Sequence, residues 1–192
     1  NIQIYSNPKL TSMELGNHPE VEELYCSYNG FSSFSLKGLP KLRSVDLGYN
    51  SALASLELDE NNGINALLCA FQSVDDVLEC CPSLNELSCS GNRLTELDLT
   101  KHLSIRELHC DHNRLTRLLV PEGQYFGHLY CHSNQLGEAA LKTLFVSLGQ
   151  VPKPTPEYPR PPQCRISYSD NPGNKESLKE ILKEKNWIVD EE

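Results

Sequence analysis

A short unit repeated along the chain most constrains what this polypeptide can fold into. Val21, Leu24, Cys26 and Asn29 return with the same internal spacing as Leu84, Leu87, Cys89 and Asn92, then as Ile105, Leu108, Cys110 and Asn113, and again as Phe126, Leu129, Cys131 and Asn134. Two weaker copies fill the gap: Leu42, Val45, Leu47 and Asn50, then Ile64, Leu67, Cys69 and Gln72. Successive copies start 20 to 22 residues apart. A second apolar set generally follows the Asn, as in Leu94, Leu97 and Leu99 or Leu115, Leu118 and Val120. A degraded copy opens the chain at Ile2, Ile4 and Asn7, and another closes it at Ile166, Tyr168 and Asn171.

No unit of this length buries enough apolar surface to stand alone, so stability must come from stacking neighbours. The Leu-x-Cys part of each unit reads as a short strand pairing in parallel with the next. Strand alternation sends Leu108 and Cys110 inward and Glu107, His109 and Asp111 outward. The recurring Asn turns the chain and can satisfy backbone groups of adjacent coils, and Gln72 would strain that row. The expected class is α/β: a right-handed solenoid with a concave parallel sheet, an irregular convex side and a C-terminal helical cap. Repeats occupy residues 1–148. A Pro-rich loop spans 149–162, and the cap of closing strand and helix spans 163–192 within the same domain. Residues 138–147 and 176–185 have helical spacing, with Trp187 helping to seal the end. The P-x-x-P spacings at Pro156, Pro159 and Pro162 are read as a stiff bridge rather than a ligand for another domain.

Seventeen Lys and Arg against 26 Asp and Glu give a formal net charge of -9 over 192 residues, which repels phosphate backbones and argues against nucleic acid. No apolar run approaches the roughly 20 residues of a membrane span. The chain starts with Asn inside a repeat, so removal of upstream sequence, a signal peptide included, is expected. Eight cysteines lack the paired C-x-x-C spacing of a structural zinc site. Five of them, Cys26, Cys69, Cys89, Cys110 and Cys131, share one inward position. They read as free, buried thiols whose stacking does not suit a disulfide. Cys80, Cys81 and Cys164 lie off that row.

The unit L-x-x-L-x-C-x-x-N-x-L-x-x-L-x-L resembles the bacterial leucine-rich repeats of about 21 residues that carry a cysteine ladder. The unit is similar to that of the internalin J type of surface protein, and the tail is similar to the C-terminal caps of many Bacteroidetes repeat proteins. The likeness is strongest from Leu84 to Leu136 and departs at Leu47, in a Cys position, and at Gln72. It implies a bacterial surface or secreted protein that binds a protein partner, acts as a monomer and needs no cofactor. The alternative is an intracellular scaffold or immunity-type protein.

Two groups of outward residues are the candidate contacts. Tyr25, Tyr28, Tyr49, Leu68 and Phe71 make one part of the face aromatic and apolar, as interfaces are; the competing reading is that Tyr28, Tyr49 and Phe71 pack against the next turn. Glu107 beside His128, His109 beside Tyr130, and Asp111 beside His132 make another part polar, with His112 at its edge. His109, Asp111, His128 and His132 fall within reach of a shared transition metal, which keeps a metal-dependent hydrolase as a remote alternative. A metal-free binding surface is preferred, because a flat sheet seldom supplies convergent ligands. A Cys110–His109 or Cys131–His132 catalytic pair is disfavoured by alternation, which puts sulfur and imidazole on opposite faces. No enzyme activity is expected.

Overall fold

The computed structural model describes residues 1–59, 63–69, 78 and 81–190. It comprises two compact units, Asn1–Leu94 and Thr95–Glu192. The first carries β1 (Ile2–Gln3), β2 (Glu23–Tyr25), β3 (Ser33–Ser35), β4 (Ser44–Leu47), β5 (Ser55–Glu57), β6 (Ala66–Cys69) and β7 (Glu86–Ser88). The second carries β8 (Glu96–Asp98), β9 (Glu107–His109), β10 (Arg117–Leu119), β11 (His128–Tyr130), α1 (Glu138–Ser147), β12 (Arg165–Ser167), α2 (Glu176–Glu184) and β13 (Ile188–Val189).

Each unit builds a sheet of parallel strands in a row, a solenoid-like arrangement. The order is β1-β2-β4-β6-β7 in the first and β9-β11-β12-β13 in the second. Register places Ile2 beside Leu24, Leu24 beside Val45, Val45 beside Leu67 and Leu67 beside Leu87. In the second unit Leu108, Leu129, Ile166 and Val189 align in the same way. Leu24, Val45, Leu67 and Leu87 in the first unit and Leu108, Leu129 and Ile166 in the second are all fully buried, so in each unit this apolar row is the core that stacking creates.

The repeated Asn ties neighbouring copies together. Asn134 Nδ2 donates to the carbonyls of Cys131 at 3.1 Å in its own copy and Cys110 at 3.0 Å in the preceding one, while its Oδ1 accepts from the Leu115 N–H at 2.9 Å. Asn171 repeats the pattern on Cys131, Tyr168 and the Leu136 N–H. In the first unit Asn50 bonds the carbonyls of Cys26 and Leu47 and accepts from the Phe31 N–H. Asn92 bonds those of Cys69 and Cys89. One amide thus satisfies the backbone of a strand-to-turn corner that would otherwise hold buried unpaired groups. Gln72 lies outside the described residues.

The side away from the main sheet is more regular than the expected irregular turns. β3 pairs in parallel with β5, bringing Phe34 beside Leu56, and β8 pairs with β10, bringing Leu97 beside Leu118. The second apolar set therefore alternates as a strand, with Leu97 and Leu118 buried and Glu96 and Arg117 exposed. Stacking in register lets this second segment complete backbone bonds between copies, as Thr116 N–H does with the Thr95 carbonyl at 2.8 Å.

The tail differs from expectation in one respect. α1 buries Leu141, Leu144 and Phe145, and Phe145 meets Tyr168 edge-on at 4.8 Å. α2 buries Leu178 and Leu182 but stops at Glu184, because Asn186 takes a left-handed conformation (φ 60°). The Asn186 N–H then bonds the Lys183 carbonyl and the Trp187 N–H bonds that of Leu182, which closes the helix. Ile188 and Val189 pair with Arg165 and Ile166, so a further strand, not a helix, is the last rung. Trp187 is buried and donates to the Gly149 carbonyl at 2.9 Å.

Candidate functional site

What shapes the outward face is the residue just before each repeat Asn. It is left-handed at Ser6 (φ 57°), Tyr28 (φ 58°), Tyr49 (φ 54°), Gly91 (φ 70°), His112 (φ 52°), Ser133 (φ 52°) and Asp170 (φ 53°). Glycine adopts this conformation freely, whereas another residue gives up roughly 1–2 kcal/mol. Of these seven described corners, only Gly91 takes the unstrained choice. The turn also ends strand alternation, so consecutive side chains can lie on the same side.

In the first unit this places Tyr28 and Tyr49 face to face, with ring centroids 4.2 Å apart and planes 8° from parallel. The pair is exposed, 52% and 70% respectively, rather than packed under the next turn. A hydrogen bond to Tyr49, then partial desolvation, holds the Tyr28 phenol above its ordinary range. Tyr25 and Leu68 are half-buried, in register on either side of Asp46. Phe71 lies outside the described residues.

In the second unit register sets His128 beside Glu107 and Tyr130 beside His109. His128 Nδ1 lies 2.8 Å from Glu107 Oε2. Gly127 makes room for that carboxylate, since a Cβ there would fall 2.5 Å from Glu107 Oε1. The His109 ring tilts against Tyr130 at 4.8 Å, and His128 stacks over Tyr130 at 5.8 Å. Asp111 instead faces His112 Nδ1 at 2.9 Å and His132 Nε2 at 3.9 Å, with His132 buried. The four residues His109, Asp111, His128 and His132 therefore do not gather as one group. Asp111 and His132 converge with His112, and His109 and His128 turn to other partners. His112 joins the group because its left-handed backbone folds it beside Asp111, a placement that alternation alone does not suggest.

The cysteines are turned away from this face. Cys26, Cys69, Cys81, Cys89, Cys110, Cys131 and Cys164 are all buried, and none of them is joined in a disulfide. Cys80 lies outside the described residues. Burial, with Asp46 adding, pushes the Cys26 thiol up to about 11, and burial with Asp111 pushes Cys131 up to about 12. Such thiols hold little of the nucleophilic thiolate. Iodoacetamide at neutral pH should therefore label Cys131 roughly 1,000-fold more slowly in the native chain than in urea. Peptide mass spectrometry reads this directly, and comparable rates in both states would contradict the burial.

Compared with known proteins, the chain matches no family model and no curated sequence. No helix among the described residues is long and apolar enough to cross a membrane.

Proposed function

We propose that the chain is a leucine-rich-repeat protein with a cysteine ladder that binds another protein through the outward face of its parallel strands. The observation that carries this reading is the exposed Tyr28–Tyr49 stack, built on two corners where glycine would be less strained. Stability alone does not favour large aromatic rings in that conformation. Contact with a partner does, because stiff aromatic side chains lose little entropy on binding and bury large areas. Tyr25 and Leu68 extend the apolar part of the surface. Glu107, His109, Asp111, His128, Tyr130 and His132 supply polar contacts of the kind that fix orientation.

Recognition, not catalysis, is the activity this reading assigns. A bacterial surface or secreted location follows from the resemblance of the repeat. The buried cysteines, none in a disulfide, favour the intracellular scaffold as the second reading, since oxidising compartments usually convert paired cysteines to disulfides. Fractionation of the native host separates the two.

The Tyr28→Gly, Tyr49→Gly double variant tests the binding surface without threatening the fold. Loss of the stack costs about 0.5–1.5 kcal/mol, and relief of two left-handed corners returns about 2–4 kcal/mol. Stability should therefore not fall below that of wild type, while recovery of partners on immobilised protein falls at least tenfold. Equal recovery by wild type and variant would remove the aromatic patch from the contact surface.

A further inference from the structure

Three donors converge at the corner that follows β9 and β11. One ligand atom each from Asp111, His112 and His132 lies within 4.8 Å of the other two. The shorter separations are 2.9 Å from Asp111 Oδ2 to His112 Nδ1 and 3.9 Å from Asp111 Oδ2 to His132 Nε2. Donors about 2.0–2.1 Å from a tetrahedral zinc ion stand about 3.3 Å apart, so the two short separations bracket that value. The widest would close by rotation of the exposed His112 imidazole, whose ring meets that of His132 edge-on with centroids 5.0 Å apart.

The cluster owes its shape to the fold. Asp111 and His132 occupy equivalent positions of adjacent copies, held together where the His112 N–H bonds the His132 carbonyl at 3.1 Å. His112, left-handed, folds back beside Asp111. The other nitrogen of the His132 ring, Nδ1, lies 3.3 Å from Ser133 Oγ, which approaches Asp170 Oδ2 at 3.5 Å. This outer contact turns Nε2 toward Asp111, an arrangement typical of metal-binding imidazoles.

We propose that Asp111, His112 and His132 form a binding site for a divalent transition-metal cation of the zinc type. One carboxylate and two imidazoles suit such a borderline ion better than calcium or magnesium, which take oxygen ligands. Three protein ligands on an open corner leave a fourth position for water or for a donor from a bound partner. His109 and His128 are outside the set, being engaged with Tyr130 and Glu107.

Zinc titration of the full chain after chelator treatment tests the site, with circular dichroism to verify folding. Wild type should take up one ion per chain, and His112→Gly and Asp111→Asn should each weaken uptake roughly 100-fold or more, at or above the cost of losing an outer-shell contact. Glycine at 112 is tolerated, as Gly91 shows at the equivalent corner. His109→Ala and His128→Ala should leave uptake unchanged. Cobalt in place of zinc should give ligand-field bands without sulfur charge transfer. Absence of stoichiometric uptake, uptake indifferent to His112→Gly and Asp111→Asn, or a cobalt–thiolate band pointing to the cysteines would each overturn the assignment.

Discussion

Asn134→Asp should destabilise the second unit by about 3–5 kcal/mol at neutral pH, more than Asn134→Ala at about 2–4 kcal/mol. The ordering follows from which groups each change leaves without a partner. Alanine removes the acceptor for the buried Leu115 N–H, which receives its bond from Asn134 Oδ1. The carbonyls of Cys110 and Cys131 suffer less, because Asn113 also donates to the first and Asn171 to the second. Aspartate keeps an acceptor for Leu115 but aims a second oxygen at the carbonyls of Cys110, Cys131 and His132, where the amide donated. The site is 1% exposed, so the carboxylate would be buried without a cation.

The pH dependence gives this comparison a distinct signature. Burial raises the folded-state pKa of an aspartate at 134 above the ordinary carboxylate value of about 3.9. The charged-form penalty is absent below the unfolded value, grows as pH climbs toward the raised folded value, and is complete above it. The gap between Asn134→Asp and wild type in urea denaturation should narrow on acidification. Asn134→Ala should show no such change. A pH-independent gap for Asn134→Asp would mean that its side chain reaches water and that the buried Asn bridge is not what holds adjacent copies.

Most of the main sheet was legible because one physical demand recurs at fixed spacing. Leu108 and Leu129 must face inward beside each other, Cys110 and Cys131 fill the next inward site, and Asn113 and Asn134 must close the corner. The second strands β3, β5, β8 and β10 were harder to see. Leu97 and Leu99 alternate over only three residues, which fits a turn as well as a strand until a neighbouring Leu118 pairs with it. The end of α2 escaped for a local reason: Lys185 continues the helical charge pattern, but Asn186 closes the helix and leaves Ile188 and Val189 to pair with β12. The candidate site was half legible. Register correctly set Glu107 beside His128, His109 beside Tyr130 and Asp111 next to His132, whereas the role of His112 depended on a left-handed corner. Glycine advertises that conformation at position 91 alone among the described corners. At Tyr28, Tyr49 and His112 the available signal was their place immediately before the repeat Asn.

Gly173→Ala should cost about 3 kcal/mol, although its backbone does not require glycine for a left-handed conformation. The demand is one of space. A Cβ at 173 would lie 2.2 Å from the carbonyl carbon of Gly137, 2.3 Å from the Glu138 nitrogen and 2.6 Å from the Gly137 oxygen. All three are backbone atoms at the start of α1, held by the bond from the Gly173 N–H to the Leu136 carbonyl at 2.9 Å. A rotamer change cannot relieve the clash, so either α1 or the Asn171–Gly173 turn must move. Moving the turn loosens Asn171 from the Cys131 carbonyl and the Leu136 N–H. Gly91→Ala provides the contrast, since nothing lies within 4 Å of its added Cβ and only the left-handed backbone opposes it. It should cost about 1 kcal/mol. Urea denaturation of the two variants separates the causes: equal losses would place the role of Gly173 in chain conformation and leave the close packing of the turn on α1 without support.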